Sequence, residues 1–346
     1  GQTFTQDSWS VFTEDEWHLT DALAFTFGGR YEDHSAFGGH FTPRAYLVWN
    51  TNDNWTLKGG VSTGYKVPTA NDLHDGINGF TAQGKSVSLG NPDLKPEKTT
   101  NYEIGFVYDD LTNFSLTTTA FFTEFKDLII SGAKTYENCL WESRPTGSTP
   151  ASDCMTVGNF SYQENFSFQG NADEAESYGV ELSAKYDISP NFNVKANYTW
   201  LESEITKGEN KGQTIENTPR HAVNLTSTWY VNDQFTTWLE AEYKSKRTRF
   251  TDPTANTDTI REAEITGNEL KAYELFNLGA SYKVNNQITL SGRINNLFDK
   301  DFGDYQTFTN TKGETVNAFL YTKTTSGLAG TYIPDRNYWL SISYDF

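Results

Sequence analysis

A run of cations in the second half of the chain is the first group of side chains suited to binding chemistry. The segment YKSKRTRF, residues 243–250, carries Lys244, Lys246, Arg247 and Arg249 in a chain of net charge −18. Ammonium and guanidinium groups bind anions, and guanidinium groups also stack on aromatic rings. Alternation along a strand puts Lys244 and Lys246 on one inward face, while the two arginines lie where the strand gives way to a long loop. The segment is therefore a candidate site for an anionic ligand.

Aromatic side chains in the predicted loops can add contact area to such a site. Aromatic residues make up 15% of the chain, and Phe80 and Trp141 stand in long irregular stretches between strand-like segments. Rings of this size bury a large apolar area and offer a face to a cation. We expect both side chains to contact the ligand together with the four cations.

The two cysteines predict a loop that is closed by a disulfide. Cys139 and Cys154 stand in ENCLWESRPTGSTPASDCMT, a stretch rich in Ser, Thr, Pro and Gly. This context favours one disulfide, formed in an oxidising compartment, over two free thiols. Two cysteines without clustered histidines make a poor zinc site.

The remaining polar residues give no sign of catalysis. The five histidines lie in no context that suggests a Ser/His/Asp set, and no H-E-x-x-H or C-x-x-C motif occurs. A hydrolase of the Ser/His/Asp type would need a clustered Ser/His pair, which the sequence does not indicate. The net charge of −18 argues against a nucleic-acid partner, because phosphates attract a basic surface. We therefore expect a protein that is not an enzyme.

Alternating strands must position these residues. In the segment 235–246, Leu239, Ala241 and Tyr243 alternate with charged side chains. Apolar faces of this kind end in Tyr or Trp, and the polar faces carry charges in mid-strand, as in the wall of a membrane barrel. We predict thirteen strands, near residues 8–19, 22–32, 40–50, 54–65, 98–109, 113–126, 173–187, 191–202, 218–231, 234–247, 272–284, 287–300 and 336–346.

The connections between these strands alternate in length. Short ones such as LTDA (19–22) and VNNQ (284–287) alternate with long ones at roughly 32–40, 66–98, 127–172, 202–217, 248–271 and 301–335. Short periplasmic turns and long extracellular loops are typical of outer-membrane barrels. The predicted fold class is all-β, a transmembrane antiparallel up-and-down β-barrel. Complete bacterial barrels have an even number of strands, so an odd count that starts outside the cell predicts the C-terminal part of a larger barrel.

Several sequence blocks carry a family resemblance. GYKVPTANDLHDG and LGNPDLKPEKTTNYEIGF resemble a paired signature of TonB-dependent outer-membrane receptors, and FGGRYEDH, FTPRAYLVWN and INNLFDKDF resemble further blocks of that family. The resemblance is closest to ferric catecholate (enterobactin-type) siderophore receptors and the colicin I receptor group. It implies a 22-stranded barrel around an N-terminal plug. Neither the plug nor its TonB-interacting box is recognisable, so residues 1–346 are expected to be a barrel portion.

The resemblance implies a transport function in the bacterial outer membrane. The expected cargo is a ferric siderophore, a catecholate, taken up with energy that TonB delivers through the plug. The siderophore is a transported ligand, so we expect neither a permanently bound cofactor nor a protein metal ligand. A ferric catecholate complex is an anion with aromatic rings, which suits the cations of residues 243–250 with Phe80 and Trp141. Lipopolysaccharide phosphates and acidic residues of the lumen are the alternative partners of those cations.

Other expectations also come from the resemblance. Phe346 would be the signal that the outer-membrane assembly machinery recognises. Colicins or phage could use the long loops, and outer-membrane lipid and lipopolysaccharide would surround the wall. His74 lies between the two signature blocks, and a histidine of the corresponding loop ligates haem iron in haem receptors of the family. A haem receptor or a passive pore of the same architecture is the alternative function.

Overall fold

The structure is a computed structural model, which describes residues 5–81, 86–208, 210–254, 257–311, 313–322 and 333–345. Within these residues the chain forms nineteen strands and one helix. In chain order they are β1 (Ser8–Thr20), β2 (Leu23–His34), β3 (Gly38–Asn50), β4 (Trp55–Lys66), β5 (Ile77–Thr81), β6 (Ser86–Leu89), β7 (Glu97–Asp109), β8 (Phe114–Glu137), β9 (Asn165–Ser189), β10 (Phe192–Lys207), β11 (His221–Tyr230), β12 (Phe235–Lys244), β13 (Arg247–Thr248), α1 (Thr257–Thr266), β14 (Glu269–Leu270), β15 (Tyr273–Lys283), β16 (Ile288–Asn295), β17 (Tyr305–Thr309), β18 (Thr315–Phe319) and β19 (Asn337–Tyr344).

Thirteen long strands make one antiparallel sheet. They pair in the order β1-β2-β3-β4-β7-β8-β9-β10-β11-β12-β15-β16-β19, so each wall strand pairs with the next wall strand along the chain. The prediction of thirteen up-and-down wall strands is confirmed, and most of their ends agree with the sequence pattern within a few residues. In the described part of the chain, β1 and β19 are the two edges of this sheet.

The register of the sheet aligns the apolar side chains on one face. Trp17 lies opposite Phe25, and Phe25 lies opposite Leu47. Several strands further along, Ala241 lies between Leu225 and Phe276. Many large apolar side chains of this face are exposed, including Trp17, Leu47, Leu340 and Ile342. A continuous exposed apolar face of this extent is suited to lipid rather than water.

The opposite face of the same strands is polar. Glu240 and Asn277 lie opposite each other in the register of β12 and β15. The Asn277 side-chain amide donates to Glu240 over 3.3 Å, and Arg293 pairs with the same carboxylate. Charged groups in mid-strand need water or one another, so this face matches the predicted lumen side.

Side-chain oxygens of Asn and Asp fix the short turns at one end of the sheet. Asn52, Asn232 and Asn285 each accept hydrogen bonds from the backbone N–H groups two and three residues further on. One carboxylate oxygen of Asp110 accepts from the backbone N–H groups two, three and four residues further on, the last of them that of Phe114. The hydrogen bonds from Phe114 and Thr112 lower the pKa of Asp110 to about 2. These contacts replace backbone bonds that a two- to four-residue turn cannot make.

The connections at the other end differ from the predicted loops in three ways. Strands β2 and β3 run so far that only residues 35–37 separate them, so the predicted long connection at 32–40 is wrong. Strands β8 and β9 have 24 and 25 residues and extend past their other neighbours as a two-stranded ribbon. The hairpins β5–β6 and β17–β18 and the helix α1 form within three other loops. Short elements of this kind carry too few residues for a clear periodic pattern.

The described part of the chain contains no helix long and apolar enough to cross a membrane.

The loop at the end of the β8–β9 ribbon has its own small core. Val87, Leu89 and Phe166 are buried there, and Met155 and Phe168 pack against them. Cys139 and Cys154 form a disulfide, which confirms the predicted pairing. The buried Asn138 side chain donates to the carbonyls of Phe160 and Gln163 and accepts from the N–H of Leu140. The disulfide and this amide together hold an otherwise irregular segment.

Candidate functional site

The basic segment 243–250 divides into two groups because the strand ladder is interrupted within it. Strand β12 ends at Lys244, and pairing resumes at Arg247 in β13. The interruption breaks simple alternation, so Lys244 and Lys246 do not share the same surroundings. The Lys244 ammonium lies 5.8 Å from the centre of the Tyr273 ring, and the Arg247 guanidinium lies 5.4 Å from it. Lys246 instead pairs with Glu269 over 2.7 Å.

Tyr273 is the centre of the first group. Its hydroxyl donates to Glu242 over 2.7 Å, and Glu242 also pairs with Lys244 over 3.0 Å. The Phe302 ring meets Tyr273 edge-on at 5.2 Å, and Tyr321 meets Phe302 at 5.3 Å. These rings therefore form a continuous aromatic row, with the carboxylate of Glu242 at one end.

Further cations lie at the other end of that row. Lys300 lies 5.4 Å and Lys271 lies 5.8 Å from the centre of the Tyr321 ring. Lys271 also pairs with Asp304 over 3.0 Å at the surface. Contacts of this length are within the range of cation–π attraction. We call this set the cation–aromatic cluster, and it consists of Lys244, Arg247, Lys271, Tyr273, Lys300, Phe302 and Tyr321.

Arg247, in the connection between β12 and β15, binds groups of two other connections. Its guanidinium donates to the Asn217 side-chain oxygen over 3.1 Å and to the Tyr321 carbonyl over 2.7 Å. Burial lowers the pKa of Arg247, against the attraction of Tyr273 and Glu242. Since an arginine keeps its proton in proteins, a fixed positive charge stands beside the aromatic row.

Arg249 lies deeper than the rest of the segment. Its side chain is 0% exposed, and one guanidinium nitrogen donates to Glu262 of α1 over 2.7 Å. Another nitrogen donates to the Phe319 carbonyl over 2.6 Å. Burial lowers the pKa of Arg249, and the charge of Glu262 opposes that effect. These partners join α1 to the β17–β18 hairpin, and a direct contact between Arg249 and a ligand stays a prediction.

Phe80 and Trp141 belong to another part of the loop region. Phe80 lies opposite Val87 in the β5–β6 hairpin and is 67% exposed. Trp141 lies in the disulfide loop, is only 9% exposed, and has the Arg144 guanidinium 6.0 Å from its ring centre. Arg144 in turn pairs with Glu137. Both aromatic residues lie near the β8–β9 ribbon, which two wall strands separate from β12, and their role as ligand contacts stays a prediction.

No metal site accompanies these groups within the described residues. Among them, no set of three or more His, Cys, Asp or Glu side chains is arranged to hold a metal ion. His74 lies in the connection before β5, where its backbone N–H donates to the Asn71 carbonyl. A haem-binding role for His74 stays a prediction, since one histidine is enough to ligate haem.

Two stretches match catalytic motifs in their letters but not in their structure. GVSTG, residues 60–64, has the G-x-S-x-G pattern but lies inside strand β4 rather than at a strand-to-helix turn. GFTAQGKS, residues 79–86, has the P-loop pattern, but its described ends belong to the β5–β6 hairpin. A P-loop requires a strand followed directly by a helix. Neither stretch has the structural context of its motif.

Sequence reasoning missed five members of the cluster. Lys271 lies between β14 and β15, and Tyr273 is the first residue of β15. The other three lie in the connection between β16 and β19: Lys300, Phe302 and Tyr321. Strand pairing puts Tyr273 opposite Lys244 in the register. A predicted β12–β15 pairing would have indicated Tyr273, whereas nothing in the sequence indicates the contact between Phe302 and Tyr321.

These features define a β-barrel membrane protein whose packed loops hold a cation–aromatic cluster. Residues 1–297 match the family described as "TonB dependent receptor-like, beta-barrel", and the chain belongs to this family. The protein is therefore an outer-membrane receptor barrel, and the predictions of family, fold class, localisation and a receptor rather than an enzyme are confirmed. Phe346, the predicted assembly signal, lies outside the described residues.

Individual relatives agree with this assignment. The chain is 30% identical over 293 residues to the iron-regulated outer membrane virulence protein of Vibrio cholerae, covering 85% of this chain and 41% of that protein. It is 25% identical over 358 residues to the ferrienterobactin receptor of Escherichia coli K12, covering 97% of this chain and 42% of that protein. The chain thus spans about two fifths of the length of these relatives.

A solved structure gives the same fold. The ferric enterobactin receptor of Pseudomonas aeruginosa, solved as a mutant in complex with enterobactin, superposes with a TM-score of 0.72 at 20% identity. The match covers 99% of this chain and 46% of that chain. At this level of identity the match concerns the fold alone.

Proposed function

We propose that residues 1–346 form the C-terminal part of a 22-stranded barrel in a TonB-dependent receptor that imports a ferric siderophore, a catecholate. The observation that carries the proposal is the cation–aromatic cluster, where four cations flank a row of three rings. A ferric catecholate is an anion whose surface consists largely of aromatic rings. Cations supply the charge attraction, and rings and guanidinium groups supply stacking.

Two cations of the cluster, Lys271 and Lys300, lie at the end of the aromatic row that is away from Glu242. Lys271 is exposed and its pairing with Asp304 lies at the surface, so that exposed pair contributes little stability and exchanges readily. Lys300 is half-buried beside Tyr321. Arg247 and Tyr273 are more enclosed, and in this proposal they hold the row in place. Four other predicted contacts lie outside the cluster, and a siderophore contact by any of them stays a prediction that this proposal does not need: Lys246, Arg249, Phe80 and Trp141.

The proposal extends to partners that act on the whole receptor. TonB would deliver energy through a plug held inside the barrel wall, and the siderophore is cargo rather than a resident cofactor. Colicins or phage would use the same long loops from outside. The relatives support this proposal by name, since one is a ferrienterobactin receptor and another is iron-regulated.

Fluorescence quenching of the full-length receptor tests the proposal. Ferric enterobactin, a ferric hydroxamate and haem are titrated in parallel, and saturable quenching by the catecholate alone is expected. The double variant Lys271→Ala/Lys300→Ala should bind the catecholate at least about tenfold more weakly, because two cation contacts of about 1 kcal/mol or more are lost. Equal affinity of this variant and the parent would refute the assigned site.

A matched control separates local from overall charge effects. Lys185 and Lys195 lie opposite each other in the register near the short turn between β9 and β10. Lys185→Ala/Lys195→Ala removes the same charge at the other end of the wall and should leave catecholate affinity unchanged. Quenching by haem alone, with a Soret shift lost in His74→Ala, would support the haem receptor instead. Iron uptake that continues without TonB would support a passive pore.

A further inference from the structure

At the end of the sheet away from the short turns, β11 is shorter than β10 and leaves a gap between β10 and β12, which we call the notch. Strand β10 continues to Lys207, whereas β11 begins only at His221 and β12 ends at Lys244. Above His221, an isolated bridge between Pro219 and Arg247 joins the two sides. A cavity of about 580 Å³ lies in the notch. It lies beside the cation–aromatic cluster but is lined by different side chains, apart from Arg247.

The floor of this cavity belongs to the apolar face of the sheet. Val223 lies opposite both Tyr198 and Tyr243 in the register, so the three form one row of that face. Tyr243 and His221 line the cavity, and the Tyr198 hydroxyl lies 2.9 Å from a ring nitrogen of His221. Tyrosines in such a row are typical of the boundary between lipid and water. The cavity therefore opens just above the lipid-facing surface.

The walls of the cavity carry two accessible cations. Arg220 pairs with Glu202 over 2.6 Å, and its side chain is 62% exposed. Lys246 pairs with Glu269 over 2.7 Å, and its side chain is 65% exposed. Exposed ion pairs contribute little stability, so a phosphate group can replace either carboxylate with little loss. Phosphate accepts strong, charge-assisted hydrogen bonds from both types of cation.

Two buried donors also line the cavity and have no hydrogen-bond partner in the described part of the chain. They are the Ser203 hydroxyl and the Arg247 Nε–H group. Ser203 is only 8% exposed. A buried donor left without an acceptor is unfavourable. Because both atoms are enclosed, a ligand in the cavity does not reach them directly, and the exposed cations Arg220 and Lys246 carry the binding.

We propose that this notch binds a phosphate group of a phosphorylated glycolipid in the outer leaflet, the lipid A part of lipopolysaccharide. The acyl chains lie along the apolar face below Tyr243, and the phosphate lies between Arg220 and Lys246. Lipid is favoured over a free anion because the cavity joins the lipid-facing row directly. The proposal needs the outer-membrane location but not the siderophore function.

Native mass spectrometry of the full-length receptor, purified in detergent, tests this site. Bisphosphorylated lipid A, its fully dephosphorylated form and inorganic phosphate are titrated separately. Bisphosphorylated lipid A should bind with a defined stoichiometry, and Arg220→Ala/Lys246→Ala should weaken this binding by about tenfold or more, because charge-assisted hydrogen bonds are lost. The control Lys185→Ala/Lys195→Ala should bind lipid A like the parent receptor.

Several outcomes would overturn the proposal. Equal binding of lipid A by the parent and by Arg220→Ala/Lys246→Ala would place the lipid elsewhere. Equal binding of phosphorylated and dephosphorylated lipid would remove the role of the phosphate. Inorganic phosphate that binds as tightly as lipid A would identify an anion site rather than a lipid site. Heat-modifiable migration on SDS gels verifies that each variant is folded before the comparison is made.

Discussion

The buried pair between Arg249 and Glu262 should dominate the stability of the loop that contains α1. The two side chains are 0% and 4% exposed and are 2.7 Å apart. Removing one member of a buried pair typically costs about 3–5 kcal/mol, because the other charge stays buried without a partner. Glu262→Gln keeps the side-chain size but removes the countercharge, so we expect a loss of about 3 kcal/mol or more.

The two members of the pair should not be equivalent. After Glu262→Gln the guanidinium cannot lose its proton, so the buried charge persists at any accessible pH. After Arg249→Met the carboxylate of Glu262 can take up a proton as its pKa rises in the buried site. The destabilisation by Arg249→Met should therefore shrink as the pH falls, whereas that of Glu262→Gln should not. The double variant Arg249→Met/Glu262→Leu should recover much of the lost stability, because neither charge remains.

Hydrogen exchange in the folded receptor measures this effect locally. A loss of about 3 kcal/mol in local opening should speed exchange of the α1 amides about 100-fold. Lys246→Ala breaks the exposed pair with Glu269 and is the matched control, with an expected change below about 1 kcal/mol. Unchanged α1 exchange in Glu262→Gln, or equal effects of Glu262→Gln and Lys246→Ala, would refute the reasoning.

Three further predictions concern the turn, the cluster and the disulfide loop. The lowered pKa of Asp110 means that its contribution to stability is present above pH 3.8 and is lost as the pH falls towards about 2; acid titration of unfolding should show less of this loss in Asp110→Ala, and identical curves would contradict it. Tyr273→Phe removes the hydrogen bond to Glu242 and should lower the free energy of unfolding, measured in urea, by about 1 kcal/mol. Tyr305→Phe, at an exposed position, is the control. Cys139→Ala/Cys154→Ala should make the loop 138–164 sensitive to protease, because a disulfide closing about 15 residues is worth about 3 kcal/mol; cleavage as slow as in the parent would contradict this.

The wall of the barrel was predictable because its signal is repeated along every strand. A side-chain period of two fixes which residues share a face, and a slip of one residue would expose the wrong set. Residues such as Leu225, Ala241 and Phe276 therefore indicate both the strands and their register. The short turns were equally predictable from the sequence, since Asp110 and Asn285 mark places where a side-chain oxygen replaces a backbone acceptor.

The loops and the candidate site were less predictable, since their contacts join residues far apart in the chain. Arg249 looked like an accessible cation, but its partners Glu262 and Phe319 are 13 and 70 residues away. The extension of β8 to Glu137 depends on pairing with β9 rather than on local alternation. The disulfide was the exception, because two cysteines in one loop leave a single pairing.

The interruption after Lys244 explains how one short basic segment can serve two surfaces. A continuous strand would put Lys244 and Lys246 on one face and Arg247 on the other. Because pairing stops at Lys244 and resumes at Arg247, the guanidinium of Arg247 lies close to the Tyr273 ring, as the ammonium of Lys244 does. Lys246 then lines the notch with Tyr243. A cluster of like charges in a sequence therefore need not be one site, since a local break in the ladder can divide it between the aromatic row and the notch.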